Sequence, residues 1–561
     1  MYLHHLTRRL LQAALISLAA TLAACGGGGS STPADAQQSA QGGGNSGNQN
    51  PPPVASFTIE LAAQKAVILQ GTSVDVVATV TRNNGFDEAI ELTVSGLPNG
   101  VSAAPVSVAK GATSATLTLS ADAAAPHSLP TDATVNGTSG GTSAQQGVTV
   151  TVRGPAGSLD TSFAGGGKAI VPVDIADDYA HAMAVQGDGK IVVAGWGHVT
   201  TGYALELVRL QRDGTLDTTF GTAGKVLTKI GSAAAEANAI AIQADGKILV
   251  AGSVNEAPKG KSFALVRYNA DGSLDSGFGS SGIVTTSFGS QSDEAFAIAV
   301  QADGKIVLGG HAMSATRGLD FALARYEADG TLDFGFGTNG QVLEAIRAGN
   351  VRDSIYAIAL QTIGGQQKIV AAGGEGDFAI ARFNADGTRD SNFGVGERPD
   401  AEFGSVIGAA RAVIVGADNK ITVAGHVNED WAILQLDADG ITDKSFGSGG
   451  RVITKLSTTN WDEAQALVRQ ADGKIVVGGW VYAGAGSNGD FAVARYNTDG
   501  TLDAGYGNAG ITITPVAPGT KADQARAIVL QADERVPTVR SLLAGSANDS
   551  NYDFAVTRYW H

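Results

Sequence analysis

The stretch RYNADGSLDSGFGSSG, Arg267 to Gly282, recurs in close variants along most of the chain, and its reading decides the fold. Asp and Asn alternate beside a Gly, which is also how a calcium loop is written. Such a loop needs oxygen ligands at its first, third and fifth positions, ahead of the Gly. Counting back from Gly272, the fifth is Asp271, the third Asn269 and the first Arg267, a cation. Arg209, Arg325, Arg382 and Arg495 raise the same conflict, so no metal is expected. Asn, Asp and Gly tolerate positive φ, and Asn-x-Asp-Gly reads as a tight turn.

Each Arg is followed across that turn by an Asp: Arg209 by Asp217, Arg267 by Asp275, Arg325 by Asp333, Arg382 by Asp390 and Arg495 by Asp503. Arg558, close to the C-terminus, has no Asp after it and is matched with Asp160 instead; only Gln435 with Asp443 departs from the scheme. Arg–carboxylate pairs locking each hairpin are expected, with the following Phe (Tyr506 in one case) packed between neighbouring units.

Outward from the turn the unit becomes clear. An Ala-rich strand is followed by a turn and by a second strand ending in Ala/Gly-Gly. After a variable loop come a third strand such as DFALARY, the Asp-Gly turn, LDxxFG and a fourth strand. The Gly ending the second strand falls at seven places: Gly195, Gly252, Gly310, Gly373, Gly425, Gly479 and Gly545. Four strands per unit and seven units predict a seven-bladed β-propeller over 157–561. The first LDxxF, Leu159 to Phe163, precedes any complete unit, so Lys168–Val173 is expected to supply the last blade's missing strand and close the ring. The repeat resembles the delta-60 repeat family of bacterial β-propellers, a likeness that covers about 159–561 and implies the fold without an activity.

Upstream, 54–153 carries short alternating runs such as SVDVVATVTR and SATLTLSA, the pattern of a β-sandwich of roughly seven strands. GFDEAIELTVSGLPNGVSAAP resembles bacterial immunoglobulin-like domains without a disulfide, and a spacer role is expected. Residues 25–53 open with the only cysteine, Cys25, and continue as a Gly/Ser/Pro-rich tract with almost no large apolar residues, read as a tether reaching roughly 30 Å. Residues 1–24 hold Arg8 and Arg9, an apolar run too short to span a bilayer, then small residues, as in a signal peptide. Leu22-Ala23-Ala24-Cys25 resembles a bacterial lipobox, which implies acylation of Cys25 and anchoring to a membrane. Gly26 resembles lipoproteins sorted to the outer membrane, if the host is Gram-negative.

The net charge of −16, without a basic block after the N-terminus, argues against a nucleic-acid partner. An envelope protein or a glycan is expected as partner, and a monomer as the state. If the strands of a unit are antiparallel in order, both stereotyped turns share one rim, and the variable loops and acidic crossovers share the other, where binding is expected. Just before an Ala present in all seven Ala-rich strands, one position holds His181, Asn238, Phe296, Tyr356, Arg411, Gln465 and Arg526. The position after Ala/Gly-Gly includes Trp196, His311, His426 and Trp480. These eleven residues are the candidate ligand-binding rim; simple gap-filling between blades is the alternative for each. Neither zinc-ligand spacing, nor a nucleophile elbow, nor a phosphate-cradling loop occurs, so no catalytic residue, metal or cofactor is assigned. The expected function is a non-catalytic binding or scaffolding surface. The alternative is an extracytoplasmic hydrolase or lyase, glycan-directed, with its site at the channel mouth.

Overall fold

The computed structural model describes residues 53–561, apart from 175, 201, 232–233, 257–259, 290–291, 315–317, 347–351, 377, 396–402, 404–407, 458–460, 483–488, 519–521, 533–538 and 549–550. The expected signal peptide, Cys25 and the expected tether as far as 52 lie outside the described residues. Ala55–His561 form one compact unit, built from strands and turns.

Its first part is a pair of sheets around one core. In Ser73–Asn83, Val76, Ala78 and Val80 are buried and alternate with exposed residues, because one face meets the core and the other meets water. Phe57, Ile59, Leu92, Leu117 and Val150 fill the space between the sheets. Nine strands form instead of about seven. The chain breaks after Ser56–Leu61, so Lys65–Leu69 changes sheet and runs parallel to Thr142–Arg153.

Seven further sheets follow among the described residues. In the first, Asp178–Val185, Ile191–Val199, Gly202–Leu210 and Lys225–Thr228 lie side by side in chain order, all antiparallel. Its second strand opens with a continuous buried run, Ile191 to Gly195, because neighbouring sheets cover both faces. The sheet of Ile355–Ile363, Gln366–Gly373 and Ala379–Phe383 has three strands, and the stretch 396–402 that follows its turn lies outside the described residues. The first strand of each sheet lies against the first strand of the next, and that of the seventh against that of the first. Lys168–Val171 pairs with Tyr552–Trp560 and completes the seventh sheet. It is two residues shorter than 168–173, because the Val173 N–H turns away to the Asp178 carboxylate at 2.6 Å.

The Asp-Gly stretch forms its turn together with an ion pair. Arg267 Nε donates to Asp275 Oδ2 at 2.7 Å, with both side chains nearly buried. Its guanidinium lies 4.2 Å from the Phe278 ring centre, and Nη1 donates to the Ala328 carbonyl of the next sheet at 2.6 Å. Arg209–Asp217, Arg325–Asp333 and Arg382–Asp390 are spaced at 2.7 Å, and Arg495–Asp503 at 2.8 Å. Gln435 keeps a neutral version, Nε2 to Asp443 Oδ2 at 3.1 Å. The lysine of the other turn reaches the same carboxylate: Lys247 to Asp275 at 2.8 Å, and Lys474 to Asp503 at 2.7 Å. Each corner therefore ties together two turns and the neighbouring sheet.

Candidate binding site at the ring axis

Every first strand of the seven sheets carries a β-bulge at the same place. The register slips between Ala180 and Ala182, Ala237 and Ala239, Ala295 and Ala297, Ile355 and Ala357, Ala410 and Ala412, Ala464 and Ala466, and Ala525 and Ala527. The extra residue is in turn His181, Asn238, Phe296, Tyr356, Arg411, Gln465 and Arg526. A bulge re-aims its extra side chain away from the ladder. It also explains the recurrent Gly opposite. A Cβ on Gly195, Gly252, Gly310, Gly373, Gly425, Gly479 or Gly545 would sit 1.8 to 2.1 Å from a first-strand carbonyl oxygen. Only glycine allows the strands to approach so closely there.

The bulged side chains meet round the axis. His181 Nδ1 lies 3.1 Å from Asn238 Oδ1, and Asn238 Nδ2 donates to the Ala295 carbonyl at 3.0 Å. The Phe296 and Tyr356 rings are 5.4 Å apart, and the Arg411 guanidinium is 4.2 Å from the Tyr356 ring centre. Arg411 Nε donates to Glu463 Oε1 at 2.7 Å, and His426 Nδ1 is 3.3 Å from the same oxygen. All seven residues are half-buried: protein surrounds them, yet they keep contact with solvent.

Their charges are unevenly spread. Burial drives the His181 imidazole down to about 4, helped by the Arg526 charge, so it is neutral at pH 7. Burial opposes ionisation of Glu463, but His426 and Arg411 overrule it and hold the carboxyl at about 2. For Arg526, burial disfavours the cation, the Glu463 charge supports it and the Arg411 charge opposes it. One side of the axis is neutral and partly aromatic. The other holds two guanidiniums and one carboxylate.

The residues after Ala/Gly-Gly behave differently. His311, His426 and Trp480 are buried, and His311 Nδ1 lies 3.0 Å from Ser354 Oγ. Burial lowers His311 to about 4. Trp196 is half-buried at the edge of a cluster of rings: Tyr179 at 4.7 Å, Tyr203 at 5.1 Å and His181 at 6.1 Å, with Tyr552 5.1 Å from Tyr179. Several crossover acids hold backbone. Asp462 Oδ2 accepts N–H groups of Leu456 and Ser457 at 2.9 and 2.7 Å, and Asp523 Oδ2 those of Val516 and Ala517 at 2.7 and 2.9 Å. Glu236 and Glu294 flank Lys261 at 3.2 and 2.9 Å.

Sequence reasoning missed Glu206, Tyr179, Tyr203 and Tyr552. Glu206 is fully buried, and its carboxyl is pushed up to about 9, by burial first and by neighbouring Asp178 next. The signal was available: third strands aligned on their Arg put Ala264, Ala322 and Ala492 where Glu206 stands. Tyr203 and Tyr552 share one repeat position, six residues before Arg209 and Arg558, while Tyr179 stands alone at its own; the three come together only through the fold. A cleft of about 640 Å³ beside Pro155, Leu456 and Ile511 holds one charged residue, Lys455, and no comparable cluster.

A family model described as "Domain of unknown function (DUF5122) beta-propeller" matches 186–220, 243–278, 301–336, 363–393, 416–446 and 470–506. Each segment runs from the first turn of a unit through its corner, Arg–Asp in five of the six and Gln435–Asp443 in the other, and the matches support a β-propeller repeat family. No curated protein matches the chain. Among solved structures, a DUF4784 family protein from Bacteroides caccae is 10% identical, covering 88% of this chain and 95% of its own, with a TM-score of 0.20. Domains 4–9 of the surface layer protein SbsC are 11% identical, covering 91% and 82%, with a TM-score of 0.15. Likeness at that level carries no argument about fold or function.

Proposed function

We propose that this chain is a lipid-anchored bacterial envelope protein in which a seven-bladed propeller, raised on an immunoglobulin-like spacer, binds a ligand at the mouth of its axis without transforming it. One observation carries the reading. Seven bulges direct side chains of six kinds to a common axis, no two neighbouring sheets sharing one, while the corners on the turn rim repeat almost unchanged. A scaffold under selection for stability alone needs no such inequality at equivalent positions; a ligand contacted from several sides does. The protonation of three groups at and beside the axis supports binding over catalysis. His181 and His311 are lowered to about 4 and Glu463 to about 2, so none of these is poised near neutrality to move protons.

Anchoring rests on Leu22 to Cys25 and the tract that follows. Cys25→Ser should move the protein from a salt-washed membrane fraction to a soluble extracytoplasmic one. Ligand class is tested by screening purified protein against envelope glycans and proteins beside generic hydrolase and lyase substrates. Saturable capture without turnover supports the reading. Turnover that disappears when an axial residue is changed would replace it with an enzyme.

A further inference from the structure

Arg411, Gln465 and Arg526 occupy the bulge position in three consecutive sheets, so three hydrogen-bond donors face the same side of the axis. They are not equally satisfied. Arg411 has Glu463 at 2.7 Å and the Tyr356 ring beneath it. Gln465 Nε2 is buried and makes no hydrogen bond. The hydrogen bond of Arg526 runs to a neutral group, Gln524 Oε1, at 3.0 Å. Glu463 acts on both guanidiniums, and their charges oppose each other. Two cations thus share one carboxylate, and His181 next to them is neutral. Leaving a half-buried cation with only part of a carboxylate's charge, and a buried amide donor with no partner, is costly. An oxyanion would satisfy both, since guanidinium forks match pairs of carboxylate or phosphate oxygens.

We propose that the axis is an oxyanion site, in which Arg526 and Gln465 grip a carboxylate or phosphate group of the ligand while Arg411, fixed by Glu463, supplies a second positive charge. Neutral His181 and the Trp196–Tyr179 rings lie beyond Arg526, where the uncharged remainder of such a ligand would rest. This deepens the binding role proposed above and rests on it.

The test is calorimetric titration of the purified full chain with inorganic phosphate, with D-glucuronate and with neutral D-glucose. The site should bind phosphate or glucuronate saturably at one per chain and should not bind glucose; which anion wins identifies the source of the oxygens. Arg526→Gln and Gln465→Leu should each weaken that anion about tenfold or more. In anion-free buffer Arg526→Gln should melt no lower than wild type, because it removes a cation that only half shares a carboxylate; the same anion concentration should raise the melting temperature of wild type more than that of either variant. If neither anion binds, or if both variants bind as wild type does, the oxyanion site is wrong. If Arg526→Gln unfolds the protein, Arg526 is a structural partner and the inference fails as well. Glycan or protein capture that depends on Trp196 but persists without any anion binding would overturn this inference and leave the wider binding role standing.

Discussion

Arg558 and Asp160 come from opposite ends of the repeat region and meet with Nη2 2.9 Å from Oδ2, neither side chain exposed. Arg540 reaches the same oxygen at 2.9 Å, where the other corners use a turn lysine. Arg558 Nη1 then donates to the Arg212 carbonyl of the first sheet at 2.7 Å, as Arg267 does to Ala328. The join is thus held by the same device as the five internal Arg–Asp corners, only drier. Asp160→Asn leaves two buried guanidiniums facing a neutral group and should cost about 3–5 kcal/mol. Chemical denaturation checks this; a loss below that of an internal corner would mean that the join does not hold the ring.

Asp275→Asn is that internal comparison. The pair is a tenth exposed and Lys247 remains beside it, so the cost should be about 1–3 kcal/mol. The Asp275 carboxyl is held down at about 2, chiefly by the hydrogen bond from Lys247, against burial, with help from the Gly277 N–H and Arg267. A carboxyl lowered on folding adds stability above its unfolded value, and that stability is lost as pH falls towards about 2. Wild type should therefore lose its advantage over Asp275→Asn between about pH 4 and pH 2. Calcium should move neither melting curve; a calcium-dependent rise that the variant loses would restore a metal site.

Glu206 has the opposite sign. Its folded value of about 9 lies above the ordinary 4.5, so the protonated acid is the folded form. Its contribution is fully present below the ordinary value and drains away as pH rises through about 9. Glu206→Gln should flatten the fall in melting temperature from about pH 5 to pH 9 and melt above wild type at the alkaline end. An unchanged slope would show that Glu206 is not the group responsible.

The repeat was legible because its physics is local. Asn269, Asp271 and Gly272 announce a turn, the Arg267–Asp275 spacing announces an ion pair across it, and the Gly ending each second strand, such as Gly252, counts the units. The position of Arg526 and its six equivalents also stood out, since a large residue beside a recurrent Ala breaks the pattern. That this position is a bulge was not legible, because the slip shows only when two strands are paired, as Ala525 with Gly545 and Ala527 with Ala544. Lys247 joining Asp275 and Tyr552 meeting Tyr179 were hidden for the same reason: the partners are brought together by tertiary folding. His311, His426 and Trp480 matched the rim pattern in sequence, yet packing buries them.

Binding without turnover at the axial mouth, and not on the turn rim, is the centre of the account, and one comparison tests it directly. Wild type, Trp196→Ala and Phe334→Ser are titrated with whichever envelope glycan or protein the screen returns, with turnover followed in parallel. Phe334 is 73% exposed on the turn rim and offers the more obvious apolar handle. The account predicts that Trp196→Ala weakens binding about tenfold or more, that Phe334→Ser leaves it unchanged and that no product forms. Binding lost with Phe334 and kept without Trp196, or product formed by wild type, would contradict it.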